Sequence, residues 1–220
     1  FLSQLQVTLM KAPQVGFVSL GCPKALVDSE RIITKLRSEG YEISANYDDA
    51  DLVVVNTCGF IESAKKESID TILEMARHKA GGKCKQLIVT GCLAERYSQE
   101  LLDEIPEIDH LLGVGQYPQL KNIIADVDPL SKNHVATPAE YYESYTDRLL
   151  TTAFYTAYLK ISEGCSNRCA FCIIPKMRGP MRSRSPESIL AETEHLARKG
   201  VKEFNLISQD TTLYGFDLGM

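Results

Sequence analysis

No stretch of the 220 residues stays apolar long enough to cross a membrane: runs such as Leu52 to Val55 fall far short of the roughly 20 residues a spanning helix needs. There is no basic excess either. Lysine and arginine number 24 against 29 acidic residues, a net charge of −5, which argues against holding nucleic acid by bulk electrostatics and leaves room only for a local basic patch. Phe1 to Pro13 lack the basic start and long apolar stretch of a secretory signal, and a first residue of Phe in place of Met implies that the natural N-terminus lies elsewhere. Histidine is scarce, with only His78, His110, His134 and His195, scattered and read as surface or helix residues rather than ligands. No catalytic triad or carboxylate dyad stands out. What remains is ordinary for a soluble globular protein: 44% hydrophobic and 24% charged residues exclude disordered, collagenous and fibrous classes, and the length suits one large domain or two small ones.

The apolar pattern predicts alternating strands and helices. Val15–Leu20 reads as a strand and Val27–Glu39 as a helix with Ile32, Ile33 and Leu36 on one face; Leu52–Asn56 and Leu87–Thr90 are further strands. Helices are expected from about Glu62 to Lys79 and from about Ala94 to Glu104, with a weaker fourth unit over Leu111–Val127. Such alternation is joined most simply as an open parallel sheet. The pattern then fades, so 13–127 is expected to be one domain, 128–152 a linker, and 153–220 a second. In that second part Phe154–Ile161 reads as a strand. A helix follows with Ser185 as N-cap, Pro186 in its first turn and Gly200 just past its end, and Lys202–Ile207 is the next strand. Two such units cannot close a barrel, so this domain is expected to be truncated.

Seven cysteines are an odd number, and their grouping suits metal binding in a reducing compartment better than disulfides. Cys22, Cys58 and Cys92 each follow a predicted strand, at intervals of 36 and 34 residues, which in a parallel sheet puts all three on the edge where ligands bind. Gly21, Gly59 and Gly91 adjoin them and would admit a bulky ligand. Buried core thiols are the plain alternative. Cys84 precedes its strand, belongs at the opposite edge and is expected to bind nothing. Cys165, Cys169 and Cys172 form a CxxxCxxC cluster with no fourth Cys or His nearby to complete a zinc tetrahedron. A [4Fe-4S] cluster held by three thiolates keeps one iron open. Beyond it, Lys176, Arg178, Arg182 and Arg184 are either a ligand-binding basic patch or a solvated charged loop.

CxxxCxxC with Phe171 before its last cysteine resembles the signature of the radical S-adenosylmethionine (SAM) superfamily, and the first half resembles the N-terminal domain of its methylthiotransferases. The segments that carry the likeness are VGFVSLGCPKALVDSER, DADLVVVNTCGFIESAKKESI, LIVTGC and YLKISEGCSNRCAFCIIPKMRGPMRSR. Gly21-Cys22-Pro23-Lys24 and Ile207-Ser208-Gln209-Asp210 look like the branch that modifies an aspartate of a small-subunit ribosomal protein; the transfer-RNA adenosine branch tends to carry GCQMN and GQN there. The resemblance implies an α/β chain, an open parallel-sheet βα domain followed by the start of a radical SAM (β/α) barrel, whose remainder and a TRAM domain would lie beyond Met220. It implies two [4Fe-4S] clusters, one on Cys165, Cys169 and Cys172 for SAM cleavage, the other on Cys22, Cys58 and Cys92 for sulfur delivery. Phe171, Ser208 and Gln209 would contact SAM, with core packing as the plain reading of Phe171. It further implies an electron donor such as flavodoxin or ferredoxin, a cytoplasmic location and nucleic acid only through the ribosome. A ferredoxin-like carrier or a zinc module is the reading from another class.

Overall fold

The computed structural model describes residues 12–125, 132–136 and 147–220. Five parallel strands form the first sheet: β1 (Gln14–Ser19), β2 (Glu42–Ser44), β3 (Leu52–Thr57), β4 (Gln86–Gly91) and β5 (His110–Leu112), in the order β2-β1-β3-β4-β5. Helices α1 (Pro23–Ser38), α2 (Glu62–Gly81), α3 (Cys92–Arg96), α4 (Ser98–Glu104) and α5 (Leu120–Ala125) connect and cover it. The central strands read as continuous apolar runs because both faces are covered. Alternation sends Val53, Val55, Leu87 and Val89 into one core with Ile72, Met75 and Leu93, while Leu52, Val54 and Ile88 join Ile32 and Leu36 of α1 in the other. Burying each such side chain contributes roughly 1.5–3 kcal/mol.

The helix expected over 94–104 is instead two, broken at Tyr97, whose backbone (φ −131°, ψ 42°) leaves the helical region. β2, only three residues long and without alternation, was not foreseen. The expected fourth unit is present as β5 and α5; Asp126 and Val127 lie outside the described residues, as do Phe1–Lys11 of the signal reading.

The second part contains β6 (Thr156–Lys160), β7 (Ser162–Glu163), α6 (Ile174–Arg178), β8 (Arg182–Ser183), α7 (Pro186–Arg198) and β9 (Glu203–Ile207). β6 and β9 pair in parallel, with α7 packed on them through Leu196; β7 and β8 pair antiparallel around the cysteine loop. The Ser185 hydroxyl caps α7 by accepting from Ser188 N.

The expected linker is described only in part, since 128–131 and 137–146 lie outside the described residues. What is described is tied down. Asn133 bridges Leu111 at the edge of the sheet, and Arg148 is buried, where it pairs with Glu30 of α1 and with Glu192 of α7 at 2.7 Å. Glu30 also accepts from Thr151 N at 2.7 Å. The polar composition that suggested a linker includes a counterion for buried charge, Arg148.

Candidate functional site

The register Ser19↔Asn56↔Thr90 aligns the carboxyl ends of β1, β3 and β4, so Cys22, Cys58 and Cys92 leave the sheet side by side. Each is fixed by its neighbours. Ser68 of α2 both accepts from Cys58 N (3.0 Å) and donates to Cys58 O (3.1 Å); Asn56 reaches Ser29 Oγ (2.8 Å) and Ala25 O (3.0 Å) at the start of α1; Arg96 donates to Gly59 O at 3.0 Å. The adjoining glycines answer to close packing between these loops rather than to a ligand. A Cβ on Gly21, whose φ is +97°, would stand 2.9 Å from Cys58 Cβ, and one on Gly59 would stand 2.9 Å from Cys92 O and Leu93 N.

All three thiols line one cavity of about 1040 Å³, and Ile174, Met177, Arg178 and Gln209 of the second part line it too. The hollow of about 810 Å³ between α2 and α4, lined by Ile69, Leu73 and Tyr97, holds no cysteine. Neither α1, whose N-cap is Cys22, nor α2 has a side-chain cap, so both present free N–H groups and the positive end of the helix dipole at the rim. Burial pushes the Cys92 thiol up, against the pull of Arg178, whose Nε donates to its sulfur at 3.4 Å. Cys84 sits at the other end of β4, buried, its thiol donating to Gln86 O at 3.2 Å.

Cys165, Cys169 and Cys172 lie in the loop between β7 and α6, the first buried, the second exposed, the third half-buried. The loop is pinned by Cys165 N to Gly179 O (3.1 Å), Met181 N to Ser166 Oγ (3.1 Å) and Asn167 to Asp210 (2.8 Å). Among the described residues no group of three or more His, Cys, Asp or Glu side chains is placed to hold a single metal ion. The donors nevertheless fit the implied groups: two trios of thiols, one lining a hollow large enough for an inorganic cluster. Two buried oxygens at the end of β9, Ser208 Oγ and Gln209 Oε1, have no partner among the described residues. Those orphans suit a polar cofactor. Phe171 is 93% exposed, which removes the core reading and leaves its ring free beside the cysteine loop.

The basic run needs correction. Arg178 and Arg184 are neither solvated nor free for ligands; both are buried. Arg178 pairs with Glu163 (2.9 Å) and Asp28 (3.3 Å), Lys160 with Glu163 (2.8 Å) and Asp28, and Arg184 with Glu192 (2.5 Å). Lys176 alone of the four is exposed. Burial pushes the Glu163 carboxyl up, but Arg178 and Lys160 more than offset this and hold it well below the usual carboxylate range. Gln209 donates to the same carboxylate at 2.7 Å, so Arg178 and Glu163 link Cys92 to the strand that leads into Cys165. The acidic partners Asp28 and Glu30 were missed, although Asp28, Ile32 and Leu36 share one helical face. His110 is likewise neither surface nor helical: it is buried in β5, its ring 5.3 Å from that of His134.

Glu95 of α3 was not foreseen. Burial raises its carboxyl to about 7, opposed by the Val114 N–H that it accepts at 2.9 Å. A Cβ on Gly113 would fall 2.0 Å from Glu95 Oε2 and 2.6 Å from Gln116 Oε1, a buried oxygen without a partner among the described residues, so a protonated Glu95 has an acceptor close by. Because this group binds its proton more tightly folded than unfolded, stability falls as pH rises from about 4.5 to 7. Glu95→Gln is expected to stabilise the protein at pH 8 by on the order of 2 kcal/mol, discounted for partial exposure, and by well under half of that at pH 5. Urea unfolding at both values checks this; equal gains at the two would refute it.

Comparison with known proteins adds a family context. Residues 14–113 match the family described as Uncharacterized protein family UPF0004, and residues 159–219 match the Radical SAM superfamily. The chain is 52% identical over 206 residues to the ribosomal protein uS12 methylthiotransferase RimO of Pelotomaculum thermopropionicum, covering 93% of this chain and 46% of that protein. It is 54% identical over 208 residues to the protein of the same name from Desulforamulus reducens, covering 94% and 47%. The chain thus spans about half the length of the curated relatives it matches. Among solved structures, the radical SAM methyltransferase TsrM of Kitasatospora setae, determined with tryptophan and a SAM analogue bound, shares the fold with a TM-score of 0.64 at 16% identity, over 92% of this chain and 48% of that one.

Proposed function

The chain belongs to the methylthiotransferase family of radical SAM proteins, and from that membership we propose that it serves to insert a methylthio group at the β-carbon of an aspartate in ribosomal protein uS12. The observation that carries the reading is the cavity shared by Cys22, Cys58 and Cys92 with Arg178 and Gln209. In this reading Cys22, Cys58 and Cys92 hold one [4Fe-4S] cluster and Cys165, Cys169 and Cys172 the other. When bound, the clusters and SAM supply one-electron reduction, hydrogen abstraction from carbon and the sulfur that is transferred.

The chain's own residues position and exclude. Ser208 Oγ and Gln209 Oε1 offer acceptors to SAM at the end of β9, while Glu163 fixes the Gln209 amide. Arg178 holds the Cys92 sulfur and, through Glu163, ties the first sheet to the second part. An unactivated C–H bond offers no proton to a base, and the cavity accordingly needs none. Buried Met177 and half-buried Ile174 give its wall an apolar share, the kind of surface that limits water around a reactive carbon.

The test is product analysis. After anaerobic reconstitution and reduction, uS12 and transfer RNA are incubated separately with the protein and examined by mass spectrometry. A methylthio group on one aspartate of uS12, with transfer RNA unchanged, is expected; the modification on adenosine would replace this reading with that of the other branch.

A further inference from the structure

The cavity holds two cations with different fates. Arg178 is buried and spent, its guanidinium engaged by Glu163, Asp28 and the Cys92 sulfur. Lys24, in the first turn of α1 and half-buried, is not: its Nζ donates to the backbone oxygen of Ser208 at 3.2 Å, and among the described residues no carboxylate pairs with it. The carboxylate that lines the same cavity, Glu67, is exposed on α2. A half-buried ammonium whose partner among the described residues is a neutral carbonyl retains most of its attraction for an anion, and the uncapped start of α1 adds to that attraction.

Position narrows the anion. Lys24 follows Cys22 by two residues and reaches Ser208, at the end of the strand whose next residue, Gln209, contacts Glu163 beside the second cysteine loop. Its amine therefore lies on the seam between the two halves, where a side chain must enter to be reached from both. A metal-bound thiol trio needs no such bridge across the seam. We propose that Lys24 receives the carboxylate of the acidic side chain to be modified and is the residue that distinguishes it from the isosteric carboxamide. This rests on the function proposed above and deepens it by naming a specificity residue.

The test uses the anaerobically reconstituted protein and two synthetic peptides, one with a single aspartate among neutral residues and its asparagine twin, with binding followed by isothermal titration calorimetry. Wild type is expected to prefer the aspartate peptide by roughly tenfold, the scale of one charge-assisted contact. Lys24→Met should bring the ratio close to one, and Lys24→Arg should keep most of it. Equal binding of the two peptides by wild type, binding of neither, or a preference that survives in Lys24→Met overturns the proposal. Iron content of the same preparations separates the two failures. A full complement with no preference refutes Lys24 alone, whereas a missing second cluster removes the underlying reading and this one with it.

Discussion

Cys165→Ala is expected to abolish the reductive cleavage of SAM, while Cys58→Ala leaves cleavage in place and stops sulfur insertion. The two cysteines sit in different settings. Cys165 begins the loop after β7, held by Gly179 O and followed within seven residues by Cys169 and Cys172. Cys58 lies at the carboxyl end of β3, bracketed by Ser68 and pressed against Gly21. A cluster on three thiolates cannot keep its geometry on two, so either substitution should empty its own site and spare the other. Formation of 5'-deoxyadenosine, followed chromatographically, reads the first activity, and methylthiolated product reads the second. Loss of both activities in both variants would contradict the division of labour.

Arg178→Met is expected to be the most damaging change outside the cysteines. It leaves Glu163 and Asp28 buried with Lys160 as their remaining cation in that group and removes the donor to Cys92. Breaking one member of a buried ion network costs about 3–5 kcal/mol, a large share of the roughly 5–15 kcal/mol that stabilises a typical domain. Lys176→Met, at the exposed member of the same run, should stay within about 0.5 kcal/mol. Urea unfolding of the metal-free protein checks both; similar midpoints for the two variants would show that the network contributes little. The same network sets an acid limit. Glu163 and Glu192 are held below their ordinary values by paired arginines and, for Glu163, Lys160. Their contribution is complete above the unfolded carboxylate value of about 4.3 and is lost as pH falls through the depressed folded values. Acid unfolding should therefore set in below about pH 4 in wild type.

Much of this was legible from residue order alone. Apolar runs closed by glycine gave β1, β3 and β4, and the parallel alternation put Cys22, Cys58 and Cys92 at one sheet edge, since a strand-to-cysteine offset survives folding in such a topology. The CxxxCxxC loop was visible because its ligands are neighbours in the chain. Long-range pairing was not. Nothing local tells Arg178, a basic residue in a charged run, that Asp28, 150 positions earlier in the chain, lies across from it. The start of α1 shows the difficulty: Asp28, Ser29, Glu30 and Arg31 are polar yet buried, Asp28 against Lys160 of β6, Glu30 against Arg148, and Ser29 against Ser19 and Asn56 of the first sheet. Nor did the segment read as a linker single out Arg148, because its partners lie 118 and 44 residues away. Polar character locates a residue only when its partner is known.

The most direct measurement is the iron and acid-labile sulfide content of the anaerobically reconstituted protein, wild type beside the Cys22→Ala, Cys58→Ala, Cys92→Ala triple variant. Two thiol trios, each carrying a four-iron cluster, predict about eight irons per wild-type chain and about four in the variant. A wild-type count near four, unchanged by the triple substitution, would mean that the cavity at the end of the first sheet holds no cluster.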